Sequence, residues 1–347
     1  MKIQRKLWQR LPSGMAVYKY KITNAVGAYV ELCNIGAGIV SINVPDRDGR
    51  LGDVVLGYRK ASDYIGDGPC SGKCPGRYAN RIAKGHLEIG GKVYELPINN
   101  GPNHLHGGPE GFQNQVWESR KHKDGVEFKY VAKDGEMGYP GEMVVVARYE
   151  WTENNELRLT FRARTAAETV VNLTNHVYFN LEGKGSVLRH WLRLNASEYL
   201  PTDPTLIPVG EPEPVHGTPM DFRKPKTLGR DIRKPFPALE YGKGYDACYV
   251  LDGWRPGQLQ EAAELCSMRS GRSVKVFTTQ PGLQVYTGNW LEGCPVGKKG
   301  RIWHDYGAVA LECQHFPDSP NKPSYPSTVL KPGKTFHEAI IFAFGTI

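Results

Sequence analysis

Four short polar stretches carry side chains able to move protons or to grip an oxygen-rich ligand. The first, Gly76-Arg77-Tyr78-Ala79-Asn80-Arg81-Ile82, sets two arginines near a turn. They are either plain surface charge or a fork of donors for hydroxyl or carboxylate oxygens, a task that suits the planar guanidinium. The second runs from Asn99 to Gly108 and places His104 and His106 two residues apart, on one face if the segment is extended. A surface turn, a substrate-touching loop and a metal site all remain open, although no third ligand is near. The third, Thr174-Asn175-His176-Val177-Tyr178-Phe179-Asn180-Leu181, sets one histidine among apolar residues with two asparagines close by. It is either a hydrogen-bonded core residue or a half-buried imidazole that gives and takes a proton near neutrality. In the fourth, Glu312 directly follows the apolar run Ala308-Val309-Ala310-Leu311. A carboxylate at the end of a buried strand is costly unless it is paired or employed, so it is a structural ion pair or a catalytic base. No GxSxG elbow, P-loop or GxGxxG motif follows a strand and opens a helix, which leaves nucleotide cofactors without support.

Strands must position these groups. The chain has 347 residues with 40 Gly, 25 Pro, 18 Tyr, 11 Phe and 7 Trp, a composition of many short strands joined by turns. Apolar and charged residues alternate from Val126 to Val131. Met143 to Trp151 leads through Asn154-Asn155 into Leu157, Leu159, Phe161 and Ala163, with Arg158, Thr160, Arg162 and Arg164 on the opposite face, which predicts a hairpin with one buried side. Leu87 to Ile89 and Val93-Tyr94 flank Gly90-Gly91, a second hairpin. Ser273 to Thr279 and Leu283 to Thr287 flank Pro281-Gly282, another strand-turn-strand unit. Ala308 to Leu311 and Ala339 to Phe344 read as buried strands. Gln258 to Met268 fits both the helical and the strand period, so pattern alone does not decide it. The proline-dense stretch from Pro201 to Pro225 is expected to be a functional or capping loop. No repeat or composition shift divides the chain. A single all-β domain over residues 1–347, folded as a large antiparallel β-sandwich, is the simplest expectation.

The net charge of +8 is spread along the chain, with no block of five like charges and no nucleic-acid-binding motif. The seven cysteines form no CxxC pair, which fits reduced thiols in a cytoplasmic protein better than a zinc knuckle or a redox dithiol. The first residues are basic but no apolar stretch follows them, so a secretory signal is not expected. The longest apolar run, Ala339 to Phe344, is far short of a membrane span.

From about Asn24 to Phe344 the chain resembles the aldose 1-epimerase (galactose mutarotase) family. The stretches that carry the resemblance include GRYANRIAKGHLEIGGKVYEL (76–96), NNGPNHLHGG (99–108), LTNHVYFNL (173–181), GYDACYVL (244–251), TTQPGLQVYTGN (278–289) and LECQHFPDSPNKPSYPS (311–327), in the family's order. The resemblance implies a large antiparallel β-sandwich with an open sugar cleft, and it favours strand for Glu261 to Met268. It implies interconversion of the α and β anomers of free hexoses such as glucose and galactose, with no cofactor and no metal. By motif, His176 looks like the acid for the ring oxygen and Glu312 like the base for the C1 hydroxyl. Asn80, Arg81, His106, Asp246 and Gln280 look like the holders of the sugar hydroxyls. His176 protonated and Glu312 ionised would then give a bell-shaped pH dependence. Two departures from the family's usual wording, Cys70 to Pro75 and Ala247-Cys248, could alter the cleft rim. The expected partner is a small aldose, with neither nucleic acid nor membrane, and the expected state is a monomer or homodimer. A non-catalytic sugar-binding sandwich would not need both His176 and Glu312. A hexose-6-phosphate epimerase would need a basic cluster, and a glycoside hydrolase a second carboxylate, such as Asp246, beside the scissile bond.

Overall fold

Met143–Trp151 buries every second residue, and Glu156–Thr165 does the same with its arginines outward, so each has one apolar and one wetter face. Two such strands cannot cover their own apolar faces and must stack against another sheet. The computed structural model, which describes residues 1–347, answers with three main antiparallel sheets. The largest has nine strands, with Glu118–Lys121, Gly125–Ala132, Met143–Trp151, Glu156–Thr165 and Phe336–Thr346 in sequence across it, then Arg272–Thr278, Gln260–Cys266, Trp191–Leu194 and Lys226–Thr227. A six-stranded sheet runs Tyr178–Phe179, Val309–Gln314, Gly282–Tyr286, Asp246–Val250, Glu198–Tyr199, Glu213–Pro214. The five strands between Lys2 and Asp53 form a third sheet in sequence order.

One apolar cluster of 61 buried residues draws on all three sheets. Phe179 of the six-stranded sheet meets Phe342 of the nine-stranded sheet edge to face at 5.2 Å. The Tyr149 hydroxyl donates to the Ala37 carbonyl at 2.7 Å, and the Trp151 indole N–H to that of Ala28 at 3.3 Å, which ties in the N-terminal sheet. The architecture is the expected antiparallel sandwich, with one six-residue α-helix at Pro237–Gly242.

Two local details were open or different. Gln260–Cys266 is a strand despite its good helix formers, because it pairs on one side with Trp191–Leu194 and on the other with Arg272–Thr278. Two ladders outweigh a propensity difference of under about 1 kcal/mol per residue. Arg272–Thr278 and Gly282–Tyr286 are both strands, but they do not pair with each other. The first lies between Gln260–Cys266 and Phe336–Thr346, the second between Asp246–Val250 and Val309–Gln314. Residues 279–281 are thus a crossover between sheets. Phe342 is fully buried at the sheet–sheet contact. Phe342→Ala is expected to lower unfolding free energy by about 3–5 kcal/mol, through lost transfer energy and the cavity left behind, read from urea midpoints at unchanged slope.

Candidate active site

The six-stranded sheet has one face on the core and the other turned to a cavity. Leu283, Val285, Val309, Leu311 and Cys313 point into the core, so period two sends Gln284, Tyr286 and Glu312 the other way. Register then builds two rows. Asp246 lies opposite Tyr286, Tyr286 opposite Ala310, and Ala310 opposite Tyr178. In the next row Cys248 faces Gln284, which faces Glu312. Above this floor is a cavity of about 630 Å³, whose lining includes Asn80, Arg81, Asn100, His106, His176, Tyr178, Asp246, Tyr286, Trp290 and Glu312.

His176 enters from the segment between Thr169–Val170 and Tyr178–Phe179. Its backbone N–H donates to the Lys73 carbonyl at 2.8 Å, and its carbonyl accepts from Gly72 at 2.9 Å. Its Nε2 lies 3.4 Å from Glu312 Oε1, and both side chains are almost fully buried. Burial pushes His176 down to about 3, helped by the nearby Lys73 charge, while its own backbone carbonyl works against the shift. Burial, reinforced by the Asp246 carboxylate and opposed by Arg81, holds Glu312 well above the usual carboxylate range. Both shifts favour a neutral imidazole beside a protonated carboxyl in the empty cavity, a pair that holds one transferable proton. His176 Nδ1 and Glu312 Oε2 are buried and have no hydrogen-bond partner within the protein, as expected of groups reserved for a ligand.

Asn80 adopts φ +65, a conformation Asn tolerates better than most residues, and its side-chain oxygen accepts the Arg81 N–H at 2.8 Å. Its own N–H donates to His106 Nδ1 at 3.1 Å. The neutral His106 ring must then carry its proton on Nε2. His106 meets the His176 ring edge to face at 5.3 Å, and burial holds its pKa well below the usual value. His106, His176 and Glu312 each bring a possible metal-binding atom within 4.8 Å of the others. A ring whose Nδ1 already accepts a backbone N–H offers an N–H donor at Nε2 rather than a lone pair. That suits a sugar oxygen and does not suit a metal ion. Gly107 follows at φ +77, where a Cβ would lie 1.8 Å from the Gly76 carbonyl oxygen, so the His106 loop can press onto the Asn80 segment only with glycine there.

Five of the expected sugar-contacting or catalytic side chains, Asn80, Arg81, His106, His176 and Glu312, thus line one cavity, and Asp246 joins them from the floor. Gln280 does not. It is fully buried, its amide nitrogen donates to the Leu173 and Cys313 carbonyls, and it lies outside the lining. The glutamine beside the site is Gln284, whose Nε2 donates to Asp246 Oδ1 at 2.6 Å. A polar residue between Leu283 and Val285 on the same face as Tyr286 was the sequence signal for it. His104 also departs from expectation: the chain turns at His106 (φ +53), and His104 is buried against the Pro97 carbonyl and the Tyr139 hydroxyl, each at 2.7 Å. Asn175 and Asn180 hold framework carbonyls.

The stretch from Cys70 to Pro75 puts Lys73 behind the cavity wall rather than on its rim. Its fully buried ammonium lies 2.5 Å from Asp67 and also holds the Tyr64 carbonyl and the Asn114 side chain. Asp67 in turn accepts from Ser71 N–H and the Tyr58 hydroxyl. The Pro69 carbonyl accepts the Tyr178 hydroxyl at 3.0 Å, which fixes the wall against the floor. Ala247 and Cys248 are buried and lie outside the cavity lining. Pro204, Thr205 and Leu206 bring part of the proline-dense stretch into the lining. All seven cysteines are unpaired.

An all-β sandwich whose polar cavity holds an imidazole beside a carboxyl can bind a hydroxyl-rich ligand and move protons on it. The sequence profile of the aldose 1-epimerase family matches residues 18–343. The chain is 40% identical to galactose mutarotase of Sus scrofa over 99% of its own length and 98% of the relative. It is 35% identical to aldose 1-epimerase of Escherichia coli K12 over 96% of each. A crystal structure of an aldose epimerase homologue from C. elegans superposes with a TM-score of 0.87 at 30% identity, covering 94% of this chain and 98% of that one. The galactose 1-epimerase structure from Lactobacillus acidophilus gives 0.86 at 28% identity, covering 99% of each. The chain belongs to the aldose 1-epimerase family, and it interconverts the α and β anomers of aldoses.

Gln284→Leu keeps the side-chain bulk and frees Asp246 from its tether. Losing a hydrogen bond to a charged group costs about 1.5–3 kcal/mol, so kcat/KM is expected to fall roughly ten- to hundred-fold, mainly through KM, in a polarimetric assay.

Proposed function

We propose that His176 and Glu312 carry the anomerisation as a pair sharing one proton, acting on free hexoses such as glucose and galactose. The observation that carries this reading is the 3.4 Å approach of His176 Nε2 to Glu312 Oε1 inside a cavity lined by hydroxyl-binding groups. The two groups stand side by side rather than on opposite edges of a sugar. That spacing suits a hemiacetal, whose ring oxygen and C1 hydroxyl sit on the same carbon.

With sugar bound, the Glu312 proton passes to His176. The carboxylate takes the proton of the C1 hydroxyl as the imidazolium gives one to the ring oxygen. The C1–ring oxygen bond breaks and an acyclic aldehyde forms. Its C1–C2 bond rotates within the cavity, and the reverse transfers close the ring on the other face. Neither metal nor cofactor is needed for this proton balance. His106 Nε2–H donates to a sugar oxygen, Arg81 and Asn80 donate to hydroxyls, and Asp246 accepts from one. Fixed polar contacts are what an uncharged polyol requires, and holding it against the pair makes the transfers effectively intramolecular. We further read residues 1–347 as one domain that works as a monomer or homodimer in the cytoplasm. Support comes from the core shared by all three main sheets and from the seven unpaired thiols, which fit a reducing compartment. No helix is long and apolar enough to cross a membrane.

His176→Ala and Glu312→Gln are each expected to lower kcat by about 10²–10⁴ with the fold intact, measured by polarimetry on α-glucose and α-galactose. Retained activity in either would remove that residue from the chemistry. The pH profile is a second test. The active pair holds one proton. Adding another must charge the buried His176, so the acid limb lies toward pH 3 rather than near the usual imidazole value. Removing the shared proton leaves a buried carboxylate, so the alkaline limb lies well above the usual carboxylate range. After subtraction of the uncatalysed rate, kcat/KM should show no acid limb near the usual imidazole value and should fall only at pH well above the usual carboxylate range. An acid limb at pH 6–7 would contradict the shared-proton pair.

A further inference from the structure

Gln280 sits in the crossover between the nine-stranded and six-stranded sheets and is completely buried. Its amide nitrogen donates twice, to the Leu173 carbonyl at 2.8 Å and to the Cys313 carbonyl at 2.9 Å. Leu173 lies three residues before His176, and Cys313 directly follows Glu312. One side chain therefore joins the segment that carries the imidazole to the strand that carries the carboxyl. Its oxygen is paired with His315 Nδ1 at 3.2 Å, which orients the amide so that both N–H groups face those carbonyls. Its backbone N–H is held by the Thr278 hydroxyl at 3.1 Å.

The two catalytic segments share few other connections. They pair as strands only at Tyr178 with Ala310 and at Phe179 with Val309, on the far side of His176. On the near side the Asn172 side chain bonds the His315 backbone, donating at 3.2 Å and accepting at 2.9 Å. Gln280 and Asn172 thus close one end of a frame whose other end is the short strand pairing, and His176 and Glu312 face each other inside it.

We propose that Gln280 is a positioning residue that sets the spacing between His176 and Glu312 without touching the sugar. The proton shared by the pair crosses a gap of 3.4 Å, and misplacement by about 1 Å at a reacting centre can cost on the order of 10²-fold in rate. Glutamate at this position would lack both donors, and a shorter amide would not reach both carbonyls. A positioning role and a hydroxyl-binding role differ in which kinetic constant they move. A clamp acts on the chemical step and lowers kcat. A sugar contact made equally in ground and transition states moves KM.

The test is Gln280→Met, which preserves length and removes both donors, assayed by polarimetry across aldose concentrations and pH. The expected result is a fall in kcat of about ten-fold or more with KM changed less than about two-fold. A rise in KM at unchanged kcat would make Gln280 a sugar contact, and wild-type values of both would make it inert. Either overturns the clamp. If Gln280→Met does not fold, His315→Leu removes the group that orients the amide while leaving Gln280 in place. It is expected to lower kcat in the same sense by a smaller factor, again at constant KM, and an unchanged kcat or a pure KM effect overturns the proposal there too. Because the inference rests on the His176–Glu312 reading, Glu312→Gln is measured alongside. Activity in Glu312→Gln defeats that reading itself, whereas an inactive Glu312→Gln beside a wild-type Gln280→Met defeats the clamp alone.

Discussion

Two ionisable side chains lie 3.4 Å apart where water hardly reaches, and burial penalises a charge on either. That desolvation is the constraint on which the site depends. Alone, a buried carboxylate or a buried imidazolium would be expensive. Held together with one proton between them, they have a neutral resting form and an ion-pair form separated by one short transfer. A sugar that donates to the carboxyl and accepts from the imidazole favours the second form. The proposed catalysis uses a state that the empty cavity disfavours but does not forbid.

The six-stranded sheet makes this arrangement rigid. Asp246, Gln284 and Glu312 occupy neighbouring strands on one face, so their separations follow from strand spacing and register rather than from loop conformation. The opposite wall is made of loops around the short strand pair Arg81–Ile82 and His104–Leu105, and it carries Asn80, Arg81, Asn100 and His106. These are fixed by backbone hydrogen bonds, by Gly107 pressed against Gly76, and by the buried Lys73–Asp67 pair behind the wall at Gly68 and Pro69. Glu312 and Asp246 stand on the sheet, while Asn80, Arg81 and His106 face them from the wall.

Much of this was legible in the chain. Alternation at Val126–Val131, at Met143–Trp151 and from Leu157 to Ala163 located the hairpins, and the apolar runs before Glu312 and up to Phe344 located two central strands. The resemblance to the aldose 1-epimerase family singled out residues 80, 81, 106, 176, 246 and 312, and all six line one cavity. Gln280 and Gln284 show where the reading ran out. They are four residues apart in one apolar stretch and chemically identical. The first lies in a crossover and faces backbone carbonyls, while the second lies in a strand and faces Asp246. The strand status of Gln260–Cys266 was undecided by pattern for a similar reason, since only its two partner strands settle it.

Local chemistry and period-two patterning are properties of neighbouring residues, so the order of residues alone was enough for the sandwich and for the faces of its strands. Pairing between distant segments and the dielectric around a side chain are not local. Folding alone therefore sent Arg272–Thr278 and Gly282–Tyr286 into different sheets, set Gln284 rather than Gln280 beside Asp246, and buried His176 and Glu312 where a charge on either is disfavoured. The cause is that strand registry and burial arise from contacts between residues far apart in the chain, which no window of sequence contains.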